Sequence, residues 1–174
     1  MSGFAINPDA PSGKSILLVE DSPDDELIFL DVIRKSGIPN PVIVVHDGAE
    51  AVACLRREGR FADPKKYPRP SSAFIDLKLP KISGFEVLRW IKAQPHLKDL
   101  LCIVLTHYNE SKEINKAYAL GAHSFLTKPP NVADLCNLAL HFHSHFDGFC
   151  NQEFPTSSSK PGSSMLNPNK SGIE

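Results

Sequence analysis

The sequence predicts an α/β protein built as a doubly wound (βα)5 unit around a parallel five-stranded sheet. Two observations predict it. Five short apolar runs alternate with five segments whose apolar residues recur at helical spacing. Chemically distinctive residues also stand where those runs end: Glu20 and Asp21 after residues 16–19, Asp76 within 74–77, Thr106 after 101–105 and Lys128 after 122–126. Parallel strands present their carboxyl ends at one edge, where open α/β sheets form their ligand crevice. Three carboxylates, one hydroxyl and one ammonium would then converge, a set suited to a divalent cation and a phosphoryl group.

Each element has local support. The first strand, 15–20, runs into a helix that Asp21 or Ser22 can cap, with Pro23 in its first turn. Asp24, Asp25 and Glu26 favour the positive end of that helix, which carries Leu27, Ile28, Leu30, Val32 and Ile33 and stops at Ser36-Gly37. The second strand is 42–46, and Asp47-Gly48 turns into a helix through Ala51, Cys54 and Leu55. Residues 59–70, with Lys65, Lys66 and Arg69 between Phe61 and Tyr67, read as a solvated crossover loop. The third strand, 72–77, leads through a turn at 79–84 to a helix striped with Phe85, Leu88 and Ile91 and closed by Pro95. The fourth helix is marked by Ile114, Ala117, Tyr118 and Leu120 and ends at Gly121. The fifth follows Pro129-Pro130 with Asn131 as its cap, and Val132, Leu135, Leu138, Ala139, Phe142 and Phe146 line its buried face.

Composition narrows the function classes. The chain has 174 residues, most simply one domain, and a net charge of −1, which does not recommend nucleic acid or an anionic membrane as a partner. No apolar run approaches the roughly 18–20 residues that span a bilayer, and residues 1–14 lack a signal pattern, so a cytoplasmic location is expected. Residues 1–14 are expected to be a flexible lead-in, 15–146 the folded domain, and 147–174, rich in Ser, Pro and Asn, a disordered tail. Cys54, Cys102, Cys136 and Cys150 show no metal spacing and read as reduced thiols, with Cys150 in the tail.

The strand-end segments also carry a family likeness. Residues 16–22 (ILLVEDS), 76–80 (DLKLP), Gly84, Leu105-Thr106 and 125–129 (FLTKP) stand in order at strand ends, and together they resemble the receiver domain of two-component response regulators. The runs at 20–26 and 76–81 look most like the stand-alone subgroup that includes the cyanobacterial phytochrome response regulators. The resemblance implies a flavodoxin-like sheet of order 2-1-3-4-5. It implies Asp76 as the phosphoacceptor, and Mg²⁺ held by Asp21, Asp76 and the Lys78 carbonyl, with Glu20 acting through water. Lys128 and Thr106 would bind phosphoryl oxygens, and Thr106 and Phe125 would form the switch. The implied partners are a sensor histidine kinase or phosphotransfer protein, a downstream protein, and a second copy of the chain through the fourth and fifth helices.

Three features depart from the family pattern. His107 and Tyr108 stand where a small residue borders the phosphoryl entrance, Phe125 lacks the hydroxyl of the commoner tyrosine, and the Lys78 side chain can reach over the site. The leading expectation is a non-enzymatic, single-domain phosphorylatable switch. The alternative is a pseudo-receiver adaptor that works without phosphorylation. An aspartate-based phosphatase would want an acid two residues after the nucleophile, where this chain has Lys78.

Two other motifs do not change this reading. Ser12-Gly13-Lys14-Ser15 precedes a strand and has Pro8 where a phosphate loop needs glycine. His141, His143 and His145 fall on the last predicted helix, with His141 and His145 one turn apart; a solvated face is the better reading than a metal site.

Overall fold

In the computed structural model, residues 14–107 and 111–147 are described, and apart from Lys14 and Asp147 the lead-in and tail fall outside them, as do Tyr108 and Cys150. The elements alternate as the apolar pattern requires: β1 (Ser15–Val19), α1 (Pro23–Ser36), β2 (Val42–Val45), α2 (Gly48–Arg56), β3 (Pro70–Asp76), α3 (Gly84–Lys92), β4 (Leu101–Thr106), α4 (Ser111–Ala119), β5 (Ser124–Thr127) and α5 (Val132–His141). All strand pairs are parallel, in the order β2-β1-β3-β4-β5.

Alternation along the strands divides the interior into two layers. On one face, Leu17, Val19, Ile75 and Val104 pack against Ala51 and Leu55 of α2 and Val87, Leu88 and Ile91 of α3. On the other, Ile16, Leu18, Phe74 and Ile103 meet Phe29 and Ile33 of α1 and Leu135 and Leu138 of α5. Phe74 is fully buried, with its ring 4.9 Å from Phe29 and 6.5 Å from Phe146.

The caps fix where the helices begin, and therefore where the strand-end loops turn. Ser22, Asp47, Ser83 and Asn131 each accept a backbone N–H in the first turn of α1, α2, α3 and α5, and Ser83 forms a reciprocal capping box with Glu86. Gly37 closes α1 in the left-handed region at φ 74°.

Four local expectations are corrected. Phe61 and Tyr67 are not solvated: both are buried, packed edge to face with centroids 5.0 Å apart, and a short 3-10 turn (Gly59–Phe61) carries the first of them inward. The last α-helix stops at His141, because Phe142 leaves the helical region (φ −109°, ψ 39°), and His143–His145 form a 3-10 turn. His141 and His145 therefore do not share a helical face; the His145 ring instead lies 3.2 Å from the Asp99 carbonyl through Nε2. The fifth strand begins at Ser124, two residues late, because the His123 side chain takes over a ladder role: the Cys102 N–H donates to its Nδ1 at 3.0 Å. Cys136 is disulfide-bonded and not a reduced thiol. Cys54 and Cys102 are free, and burial pushes both thiols up to about 12.

Asp147, placed in the tail by composition, is tied to the fold. Its N–H donates to Asn40 Oδ1 at 2.7 Å, and Asn40 Nδ2 donates to its carboxylate at 2.9 Å.

Candidate functional site

The carboxyl ends of β1, β3 and β4 and the segment after β5 meet at one edge of the sheet. Asp76 is the last residue of β3 and only 7% exposed. One of its oxygens accepts the Lys78 N–H at 2.9 Å, and the other accepts Lys128 Nζ at 2.6 Å. Close approach of backbone holds this turn. A side chain at Gly84 would place its Cβ 2.1 Å from the Asp76 carbonyl oxygen, so only glycine lets α3 start against the end of β3. Gly48 plays the same part for α2, where a Cβ would stand 2.2 Å from the Ile82 carbonyl.

Glu20 is fully buried beyond the end of β1. Its Oε1 accepts the Ser22 N–H at 3.0 Å, while Oε2 lies 2.5 Å from Lys128 Nζ in an ion pair outside hydrogen-bond geometry. Burial raises the Glu20 pKa above the usual carboxylate range, against the lowering effect of Lys128 and the Ser22 N–H. Burial disfavours the Lys128 ammonium too, but its ionic contacts with Asp76, Glu20 and Asp25 prevail and raise its pKa above the ordinary lysine value. Lysine 128 is thus a permanent cation at neutral pH.

Asp21 is exposed at the mouth of this cleft, and oxygens of Glu20, Asp21 and Asp76 lie within 4.8 Å of one another. A cluster of three hard oxygen donors, one of them buried without a directed hydrogen-bond donor, fits a divalent cation such as Mg²⁺. Thr106 ends β4 and is buried, and the Lys128 N–H donates to its carbonyl at 2.7 Å. Phe125 is half-buried and packs toward the α2–α3 layer. The Lys78 side chain is exposed and follows Asp76 by two residues. The structure thus gathers Glu20, Asp21, Asp76, Lys128 and the end of β4 at one cleft, with Phe125 one layer behind.

One member of the site was not singled out from sequence. Asp25, read as an acid favouring the positive end of α1, reaches Lys128 Nζ at 3.0 Å, and the same oxygen lies 3.3 Å from His107 Nε2. Its position four residues after Asp21 was the available signal. What the sequence does not disclose is which side of the first turn faces the cleft.

The response regulator receiver domain family matches residues 16–140. Response regulator Rcp1 of Synechocystis is 38% identical over 122 residues, covering 70% of this chain and 81% of that protein. The crystal structure of the Mn²⁺-bound form of Rcp1 aligns with a TM-score of 0.61 at 37% identity, covering 75% of this chain and 92% of that one. The phosphorylated cyanobacterial phytochrome response regulator RcpA aligns at 0.63 with 34% identity, covering 76% and 93%. The bacteriophytochrome response regulator AtBRR aligns at 0.69 with 33% identity, covering 82% and 100%.

The chain belongs to the response regulator receiver domain family. Within it, the likeness to phytochrome response regulators that the strand-end motifs suggested is borne out by these relatives. Among the described residues, no helix is long and apolar enough to cross a membrane.

Proposed function

We propose that the protein is a phosphorylation-controlled switch whose output is a protein contact. The observation that carries this reading is the placement of Asp76: a nearly buried carboxylate between the Lys78 N–H and the Lys128 ammonium, beside two further acids. Asp76 attacks the phosphorus of a phosphohistidine on a sensor histidine kinase or phosphotransfer protein. An O–P bond forms as the P–N bond breaks, and the imidazole leaves with a proton. Lys128 is already within reach of the acceptor and turns from the carboxylate to a phosphoryl oxygen, neutralising charge where it accumulates. The Thr106 hydroxyl takes another oxygen, which draws the end of β4 inward and lets Phe125 repack behind it.

Glu20, Asp21, Asp76 and the Lys78 carbonyl are the residues that would hold Mg²⁺, and the bound ion would supply charge neutralisation for the transferring group. The Mn²⁺-bound Rcp1 and phosphorylated RcpA structures support both halves of this reading. Lys78 at the position where an aspartate-based phosphatase wants a second acid supports a switch without an enzymatic output of its own.

The test is mass spectrometry after incubation with Mg²⁺ and acetyl phosphate. Wild type gains one phosphoryl group, and Asp76→Asn gains none. A second reading, a phosphorylation-independent adaptor, is favoured by His107 at the rim of the cleft. Wild-type protein that stays unlabelled would establish it over the first.

A further inference from the structure

Lys128 holds one carboxylate more than the phosphoacceptor chemistry uses. Asp76 and Glu20 approach its Nζ to 2.6 and 2.5 Å, while Asp25 stands at 3.0 Å and belongs to α1. Asp25 is also outside the trio whose oxygens converge for a cation. Its Oδ2 is shared: it contacts Lys128 on one side and His107 Nε2, 3.3 Å away, on the other. His107 directly follows Thr106, and its side chain is 49% exposed, so it lies on the rim of the cleft with its tip turned toward α1. Links of 3.3, 3.0 and 2.6 Å therefore join His107 to Asp25, Lys128 and Asp76 in a single line.

This line has a steric and an electrostatic consequence. A ring held between α1 and the segment leaving β4 narrows the approach to Asp76. A third carboxylate beside one ammonium repels an anionic phosphoryl donor and shares the cation that must receive it. We infer that Asp25 is a positioning residue that latches His107 over the phosphoryl entrance and competes for Lys128, slowing entry of the phosphoryl group. The inference rests on the reading of Asp76 as acceptor and adds a residue and a control to it.

The full chain tests it by initial rates of labelling with acetyl phosphate at saturating Mg²⁺. Asp25→Asn and His107→Ala are each expected to label about fivefold faster than wild type. The double variant should be no faster than the faster single one, because both changes open the same latch. Single variants at the wild-type rate, or a double variant whose gain is the product of the two, would overturn it. A separate readout needs no label: the NMR chemical shifts of the His107 ring protons should move in Asp25→Asn, which loses the 3.3 Å contact, and stay in place in the control Asp24→Asn. Ring shifts unchanged in Asp25→Asn remove the latch even if Asp76 is the acceptor. A wild type that takes no label removes the acceptor reading, and the His107 ring shifts then decide the contact alone.

Discussion

The body of the sheet and its carboxyl edge are made from the same strands but obey opposite rules. In the body, Leu17, Leu18, Phe74, Ile75 and Ile103 are fully buried and apolar, and each contributes by leaving water. At the edge, a residue or two further along, Glu20, Asp76, Thr106 and Lys128 are also buried and carry charge or hydroxyls. Burying such charges costs desolvation energy, which pairing outweighs at Lys128 and does not outweigh at Glu20. The difference teaches where the fold stores stability and where it gives some up, at the edge we propose receives a phosphoryl group and a cation.

Truncation in the body should give the largest effect. Phe74→Ala removes a ring that touches both Phe29 and Phe146, and it is expected to lose about 3–5 kcal/mol of unfolding free energy in urea titrations. A loss under 1 kcal/mol, well below the range for such truncations, would mean that the α1–α5 layer is not packed as described.

The edge should respond to cations as the body cannot. A bound divalent ion would relieve repulsion among Glu20, Asp21 and Asp76 and stabilise the fold by about 2.7 kcal/mol at a hundred times its Kd. Calorimetry with increasing Mg²⁺ should show this, and Asp21→Ala should abolish it. A melting temperature indifferent to Mg²⁺ in wild type would break the comparison at its electrostatic side.

Neutralising a buried acid should stabilise, the reverse of truncating the core. The folded pKa of Glu20 is raised above its ordinary 4.5, chiefly by burial. Its favourable contribution is therefore fully present below pH 4.5 and is lost as pH rises through the folded value. Glu20→Gln, in metal-free buffer, is expected to raise the melting temperature by a few degrees at pH 7, with the gain shrinking toward pH 4.5. A destabilised variant at pH 7 would show that the ion pair with Lys128 outweighs the burial.

A smaller effect is expected where a charge serves a structural end. Asp47 caps α2 and pairs with Lys81 Nζ at 2.5 Å. Burial opposes its ionisation, but the Lys81 and Glu50 N–H contacts prevail and hold its carboxyl below the usual range. Asp47→Ala should cost about 1 kcal/mol near neutral pH, fading as the medium is acidified through the folded pKa. An Mg²⁺ response equal to wild type would place this acid outside the cleft's electrostatics.

Most of the architecture was legible because each strand is an apolar run and α1, α2, α3 and α5 start at capping residues. The edge was legible because its chemistry sits at strand ends. What escaped depends on three-dimensional packing. Phe61 and Tyr67 looked like loop residues among lysines, and only their edge-to-face contact shows that the crossover contributes to the core. The start of the fifth strand was hidden because an imidazole, His123, replaces a backbone acceptor. The bonded state of Cys136 had no spacing motif to announce it. Asp25 was visible as a helix-start acid, while its contact with Lys128 depends on how α1 docks beside the segment after β5.

The central claim is that Asp76, alone among the acids of this edge, takes a phosphoryl group. The most direct measurement is peptide mapping by mass spectrometry of wild-type and Asp76→Asn protein after incubation with Mg²⁺ and acetyl phosphate. The account predicts a single base-labile phosphoryl adduct on the peptide containing Asp76 and none on the variant. An adduct that persists in Asp76→Asn, or maps to Glu20, Asp21 or Asp25, would contradict it.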